Sequence, residues 1–375
     1  MKKFFKIIFI ALAIFIVAGC GETQSAENDS AAQNPPVAEN KSAEDNKTVA
    51  QDSTVAENKT AENKPVEKIP PVEKNKPVVI SFAGDCTLGG FKGSGYPFED
   101  YWANGADYYF KNVKPIFAAD DITFVNLEGP LTLNPQVAEK QFPMRGEPKY
   151  VEILKAGSVE ICNLSNNHIY DCGEVGFNDT VKLLQDNNIK YCGEGYSAVI
   201  EVRGLKVGFL GFLGWYDGED VRNEISTAIN KMRPNVDVII TEFHWGAEKE
   251  YFADSTQESL AHFTIDSGAD IVVGAHSHVV QGIELYKGKI IAYSLANFCF
   301  GANMNPVDKD TFILQTSIAK QGNNLVIMPQ IIPCKISSVD YTNDFCPTPA
   351  SGNEAARILN KIADSSKNYP QTINF

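Results

Sequence analysis

The chain has 375 residues and a formal net charge of −14 at pH 7. Loss of Lys2, Lys3 and Lys6 with an N-terminal leader takes −14 to −17. No basic cluster or aromatic platform of the kind that grips phosphate backbones offsets this charge, so the composition argues against nucleic acid as a partner and for an acidic, solubilising surface.

Lys2, Lys3 and Lys6 open the chain, and an uninterrupted apolar run from Ile7 to Gly19 follows. The run is shorter than the ~20 residues a spanning helix needs, and it suits the apolar core of an export signal. Val17-Ala18-Gly19-Cys20 resembles the bacterial lipobox, in which the cysteine is lipidated and becomes the new N-terminus. The expectation is a lipoprotein signal peptide over 1–20 and a lipidated Cys20 that anchors the protein to a membrane of the cell envelope. Gly21, in place of the Asp that often retains lipoproteins at the inner membrane, points to the outer membrane in a Gram-negative cell. Residues 21–77 contain no aromatic residue and repeat Ala, Glu, Asn, Lys, Pro and Val. Such a segment buries too little apolar surface to offset its ordering entropy, so it reads as a disordered tether with ends roughly 40–45 Å apart as a flexible coil.

From residue 78 the pattern alternates between strands and helices. A strand over 78–84 ends at Gly84-Asp85. A helix is expected over 107–118, then a strand over 121–127 ending at Glu128. A helix over 148–156 has Pro148 in its first turn and Gly157 after its end. The strand 159–164 leads to Ser165-Asn166-Asn167-His168, and apolar residues at helical spacing mark 174–187. Strands at 206–212 and 236–243 follow, the second ending at His244. A helix over 256–267 opens with Ser255-x-x-Glu258, a capping-box pattern. Strand 270–274 leads to Gly274-Ala275-His276-Ser277-His278. Strand 290–295, a hairpin of 311–319 with 324–332 and a helix over 352–365 complete the chain. Strands alternating with helices imply a layered α/β architecture: one domain over 78–340 and a C-terminal extension with its helix over 341–375.

Cys20 apart, seven cysteines remain: Cys86, Cys162, Cys172, Cys192, Cys299, Cys334 and Cys346. Export permits disulfides, but seven is odd and none shows the C-x-x-C spacing of a zinc site. Cys162 and Cys299 read as small core residues. Cys334 with Cys346 is the one pairing to suggest itself.

Four of the five histidines, His168, His244, His276 and His278, stand in polar turns directly after apolar runs, and Asp85 and Glu128 close two more such runs. In open α/β sheets, ligands bind beyond the carboxyl ends of strands. The strand ends therefore predict one shared site, whose imidazoles and carboxylates suit divalent metal, with donors enough for two ions. His262, inside a helix, belongs to no such turn.

Gly84-Asp85, Asn126-Leu127-Glu128-Gly129-Pro130-Leu131-Thr132, Asn166-Asn167-His168-x-x-Asp171-x-Gly173, His244-Trp245-Gly246, Gly274-Ala275-His276-Ser277-His278-Val279-Val280-Gln281 and Ser294-Leu295-Ala296-Asn297-Phe298 together resemble the CapA (PgsA) family of bacterial poly-γ-glutamate capsule biosynthesis proteins. The resemblance covers about 78–305. Ser277 stands where Pro is usual and Ala296 where Gly is usual. It implies a fold similar to the calcineurin-like metallophosphoesterases, a four-layer α/β/β/α sandwich, here with a C-terminal hairpin and helix. Carried over residue by residue, it implies one metal position at Asp85, Glu128 and His278 and another at Glu128, Asn167, His244 and His276, with Glu128 bridging. Mn, Zn and Fe all suit these donors. His168 becomes a general acid or a stabiliser of developing charge. Two departures bear on this set: Thr87 stands where the phosphoesterases carry a further histidine ligand, and Glu128 replaces their usual Asp.

Two roles suit Asp171, orienting the His168 ring or capping the helix that follows. Arg145 matches a basic family position suited to a phosphate or carboxylate, and equally a surface ion pair. Trp245 suits a site wall or the core, and Asn297 a donor behind the ligands or a loop partner. Three functional readings compete. The first is an envelope-anchored, metal-dependent hydrolase or transferase acting on an anionic polymer or phosphoester in capsule or poly-γ-glutamate biosynthesis. The second is a non-catalytic accessory subunit of a membrane synthase or export complex, and the third a general exported metallophosphoesterase.

Overall fold

The computed structural model describes residues 76–91, 97–322, 324–370 and 373. The expected signal peptide, Cys20 and nearly all of the tether lie outside them. The strands, in order, are β1 (Val78–Thr87), β2 (Gly90–Phe91), β3 (Ile122–Leu127), β4 (Met144–Arg145), β5 (Ile161–Asn163), β6 (Lys190–Cys192), β7 (Ser197–Val202), β8 (Leu205–Gly214), β9 (Val238–Trp245), β10 (Ile271–Ala275), β11 (Ile283–Tyr286), β12 (Lys289–Ala292), β13 (Asn297–Phe300), β14 (Asp310–Gln321), β15 (Asn324–Lys335) and β16 (Thr348–Pro349). The helices are α1 (Asp107–Phe110), α2 (Lys114–Phe117), α3 (Val151–Ala156), α4 (Gly173–Asp186), α5 (Glu219–Met232), α6 (Ser255–Asp266) and α7 (Gly352–Ser366).

Two sheets carry the fold. The first runs β16-β15-β14-β1-β3-β5-β6, with β13 also on β1; the second runs β11-β12-β10-β9-β8-β7. Strands β1, β3, β5 and β6 pair in parallel, as do β8, β9, β10 and β12. The central strands are buried on both faces, which is why Val238-Ile239-Ile240 is an unbroken apolar run. Alternation divides each strand between two cores. Ile80, Phe82, Phe124, Phe209, Ile240 and Val273 fill the layer between the sheets. Val125, Leu127 and Cys162 face α1–α4 through Phe110, Phe117, Leu154 and Leu184. Ile239, Phe243 and Val272 face α5 and α6 through Ile225, Ile229 and Leu260. The protein is thus a four-layer α/β/β/α sandwich. From α7, Ile358 and Ile362 join the inter-sheet core.

Local details depart from the sequence expectations. The helix expected over 107–118 is two short ones, because Pro115 starts a new helix rather than continuing the old. α6 is capped by Asp254, not Ser255: Asp254 accepts from the Gln257 N–H and the Gln257 side chain accepts from the Asp254 N–H, a full capping box one residue earlier. All seven described cysteines are buried, and none is joined to another in a disulfide. Cys334 faces the Ile332 carbonyl and Cys346 the Tyr108 carbonyl, so the suggested pair is not joined.

Candidate metal centre

Alternation along the strands delivers polar ends to the top of the inter-sheet layer. Phe124 and Ile161 face that layer, and two residues on, Asn126 and Asn163 continue the same faces; His244 likewise continues the face of Ile240. The register shifts between Ala83 and Asp85 on β1. Gly84 is required there, since a Cβ would stand 1.8 Å from the Ala296 oxygen. That close approach lets Asp85 N donate to Ala296 O at 2.9 Å. On the opposite sheet a Cβ on Gly211 would meet Asn163 Oδ1 at 1.9 Å, so glycine lets the sheets close over an amide cluster.

Two groups of donor atoms meet at Glu128. Glu128, His244 and His276 form one; Asp85, Glu128 and His278 form the other. In the two-histidine group, His244 Nε2 lies 2.8 Å from Asn167 Oδ1, 3.1 Å from His276 Nδ1 and 3.6 Å from Glu128 Oε1. Neighbouring ligands around a tetrahedral ion with bonds of ~2.0–2.1 Å are separated by about 3.4 Å, and these contacts bracket that figure. In the two-carboxylate group, His278 Nδ1 lies 3.4 Å from Asp85 Oδ2. Thr87 Oγ1 donates to Glu128 Oε2 at 2.8 Å, which leaves Oε1. Glu128 Oε1 is one of only two buried side-chain polar atoms among the described residues with no hydrogen-bond partner. An orphaned carboxylate oxygen between two donor groups fits a bridging ligand for cations, and without one it carries an uncompensated desolvation cost.

Electrostatics agree with this arrangement. Burial holds His244 well below the usual imidazole range, and burial with the nearby His278 pulls His276 down to about 4. Both are neutral at pH 7, the form that ligates metal. Burial opposes a charge on His278, but its bond to Asp85 and the charges of Glu128 and Asp85 outweigh burial and raise it to about 9. Burial likewise opposes ionisation of Asp85, yet His278 and His244 hold it below the usual carboxylate range. Burial and then Asp85 push Glu128 up. His276 and His278 have φ of 91° and 58°, and Ala296 has φ of 65°, backbone strain of a kind that collects at functional sites at a cost on the order of 1–3 kcal/mol per residue.

His168 stands beside this centre, not within it. Its Nδ1 lies 2.7 Å from Asp171 Oδ2, which also accepts from Met144 N at 2.5 Å. Lys140 pairs with Asp171 Oδ1 and donates to the Asn167 carbonyl at 2.9 Å. Asp171 therefore orients the ring, while the cap position of α4 belongs to Cys172, without a side-chain bond. His168, Asn167, His278 and Asn297 open on a cleft of about 790 Å³ that Lys140 and Lys249 also line. Arg145 is not brought there: it is absent from the cleft lining, and its Nη1 donates to the Asn134 carbonyl. Trp245 is core, with its Nε1 donating to Tyr293 O. The aromatic wall is Trp215, half-exposed, whose ring meets the His276 ring edge-on at 4.7 Å. His262 pairs with Glu284 and stacks on Tyr286, outside the centre.

Asn126 is the residue that sequence reasoning passes over. Its Nδ2 lies 2.8 Å from Asp85 Oδ1 and 3.2 Å from His244 Nδ1, and its Oδ1 accepts from Asn163 and Asn166. It ties one donor of each group to the other. The signal was an asparagine between Val125 and Leu127 near the end of a buried strand.

Residues 79–302 match the family described as "Bacterial capsule synthesis protein PGA_cap". The chain is 30% identical over 259 residues to the capsule biosynthesis protein CapA of Bacillus anthracis, the match spanning 62% of each chain, less than two thirds of that relative. It is 31% identical over 265 residues to the PGA biosynthesis protein CapA of Bacillus subtilis, covering 64% of this chain and 68% of that one. A probable polyglutamine synthesis accessory protein of Mycobacterium tuberculosis is 29% identical over 206 residues, 47% of this chain and 54% of that one. Among solved structures, a hypothetical protein from Thermus thermophilus aligns with 68% of this chain and 99% of its own at 17% identity and a TM-score of 0.43. A 5′-nucleotidase from Candida albicans aligns with 78% of this chain and 57% of its own at 12% identity and a TM-score of 0.41. The match takes in both donor groups, from Asp85 through His278, and on it the chain belongs to the PGA_cap family of bacterial capsule synthesis proteins.

Proposed function

We propose that the protein is a metal-dependent hydrolase or transferase of the bacterial envelope, acting on an anionic polymer in capsule or poly-γ-glutamate biosynthesis. The observation that carries this reading is the orphaned Glu128 Oε1 between two donor groups, next to an oriented histidine on an open cleft. Asp85, Glu128 and His278 would hold one divalent ion and Glu128, Asn167, His244 and His276 another, with Mn, Zn or Fe as the metal. When bound, such ions supply Lewis acidity and lower the pKa of water. His168 keeps its Nδ1 proton on Asp171, so a second proton on Nε2 is the one available to a leaving oxygen or nitrogen. Met144 N and Lys140 hold Asp171, which fixes the ring before substrate arrives. Lys249 and Lys140, the latter shared with Asp171, line the cleft together with Glu248 and Asp308, so an anionic substrate meets charges of both signs there. Envelope anchoring through lipidated Cys20 is part of the proposal; mass spectrometry of the mature N-terminus tests it. Among the described residues no helix is long and apolar enough to cross a membrane.

A second reading, an accessory subunit without catalysis, is favoured by Thr87: the slot that holds a ligand in phosphoesterases is here occupied by a hydroxyl bound to Glu128. Metal analysis of the purified protein, followed by a hydrolysis screen that includes poly-γ-glutamate and phosphodiesters, separates the two. Bound divalent metal with turnover supports the first; a metal-free protein inert on every substrate overturns it in favour of the second.

A further inference from the structure

The two-carboxylate group is one ligand short. Asp85, Glu128 and His278 supply three donors, and Thr87 is engaged with Glu128 Oε2. We infer that Asn297 completes this position with its side-chain oxygen, making it oxygen-rich and selective for a hard ion such as Mn²⁺, while the position with two imidazoles takes Zn²⁺. The inference rests on the metal reading above and adds a ligand and a division of labour to it.

The fold brings Asn297 to this place. β13 runs parallel to β1 in a register that sets Asn297 opposite Asp85, on a stretch of β1 beyond its pairing with β14. The side chain is 3% exposed. Its Nδ2 donates to the His278 carbonyl at 3.3 Å, and a carbonyl partner demands the NH₂ end, so Oδ1 is the atom turned to the ring. Asn297 Oδ1 stands 2.8 Å from His278 Nδ1, the separation found between Asn167 Oδ1 and His244 Nε2 in the other group. The same amide–imidazole contact thus occurs once in each group, on the nitrogen that also faces a carboxylate. With Asn297 this position offers two carboxylates, one amide oxygen and one imidazole; the other offers one carboxylate, one amide oxygen and two imidazoles. Oxygen donors suit Mn²⁺, and imidazole suits Zn²⁺.

The test uses the chelator-stripped protein and counts metal rather than turnover. Mn²⁺ and Zn²⁺ are titrated separately and together by calorimetry, with elemental analysis and Mn²⁺ paramagnetic resonance, on the wild type, Asn297→Ala and Asn297→Asp. The expected wild type binds two equivalents and, from a mixture, retains about one of each metal. Asn297→Ala should bind Mn²⁺ at least about tenfold more weakly, with Zn²⁺ at the other position unchanged; even groups behind the ligands cost that much. Asn297→Asp, of the same shape, should bind Mn²⁺ more than tenfold tighter than wild type, because an anion replaces a neutral ligand. Wild-type Mn²⁺ affinity in Asn297→Ala overturns the inference. So does an Asn297→Asp protein within threefold of wild type, the behaviour of a group that merely orients His278. Should the alanine variant fail to fold, the aspartate variant decides. A wild type that binds no metal overturns the metal reading itself, a result distinct from two retained equivalents in Asn297→Ala.

Discussion

Replacing Glu128 by Gln should move stability and metal affinity in opposite directions. Glu128 is 1% exposed, its Oε1 has no partner, and Asp85 is close enough to push its carboxyl up. A buried polar group left unsatisfied costs about 1–3 kcal/mol. Glutamine keeps an oxygen for the Thr87 hydroxyl and leaves its amide nitrogen unpartnered in the place of Oε1, so what it removes is the charge that burial and Asp85 oppose, the extra cost a buried charged group carries over a neutral one. In chelator at pH 8 the variant should therefore be more stable than wild type by ~1–3 kcal/mol, which at roughly 2–4 °C per kcal/mol is a visible rise in melting temperature. The difference should shrink as pH falls toward the raised pKa of Glu128, because protonation removes the same charge. With metal that advantage is offset. An ion at 100 times its Kd stabilises the wild type by about 2.7 kcal/mol, and the variant, deprived of the ligand common to both groups, should lose most of that gain. Thermal melts of both proteins in chelator and in saturating Mn²⁺ give the four numbers. A variant less stable than wild type in chelator, or a metal-induced shift of undiminished size, would refute the reasoning.

Four further outcomes are expected. His168→Ala should keep its metal and its melting temperature while turnover falls by about 10²–10⁴, less on substrates with good leaving groups; metal loss on elemental analysis would instead make His168 a ligand. Gly84→Ala should cost about 3 kcal/mol in urea denaturation, since its Cβ would overlap the Ala296 oxygen; a change under about 0.5 kcal/mol, the range of surface substitutions, would contradict that. Glu160, at the opposite end of the first sheet, is pushed up to about 7 by burial and by Asp120 and Asp121; it favours the fold below about pH 4.5 and that contribution disappears as pH rises through 7, so Glu160→Gln should flatten this decline in denaturation measured between pH 5 and pH 8. Cys20→Ala should release the protein from membrane fractions, and unchanged fractionation would remove the lipid anchor from the proposal.

The layers and the donor set were legible because both rest on short-range patterns. Runs such as Ile122–Val125 and Val238–Ile240 mark central strands by composition, and histidines or carboxylates after them mark the candidate site. What sequence did not reveal depends on packing between distant segments. α5 carries its apolar residues at Val221, Ile225, Ile229 and Met232, a valid helical stripe, but Asp, Glu, Asn, Arg and Lys between them dilute it. β13 is only four residues long and is a strand because β1 has a free edge there; the strand expected over 290–295 stops short of it. Arg145 had the chemistry for a ligand, yet the β2–β4 pairing commits it to the Asn134 carbonyl. Asn126 and Asn163 acquire their roles only when glycine at 211 admits the second sheet.

The seven buried thiols give the folded state a redox consequence. Native packing keeps every one of them from oxidants, and burial drives Cys162, Cys192 and Cys299 far above the pH at which reactive thiolates form. Melting removes that shelter at all seven positions simultaneously. In air, scrambled cross-links then compete with refolding, so a heating and cooling cycle shows hysteresis that a reductant abolishes. In air, the domain refolds only if it closes its core faster than its sulfurs find one another.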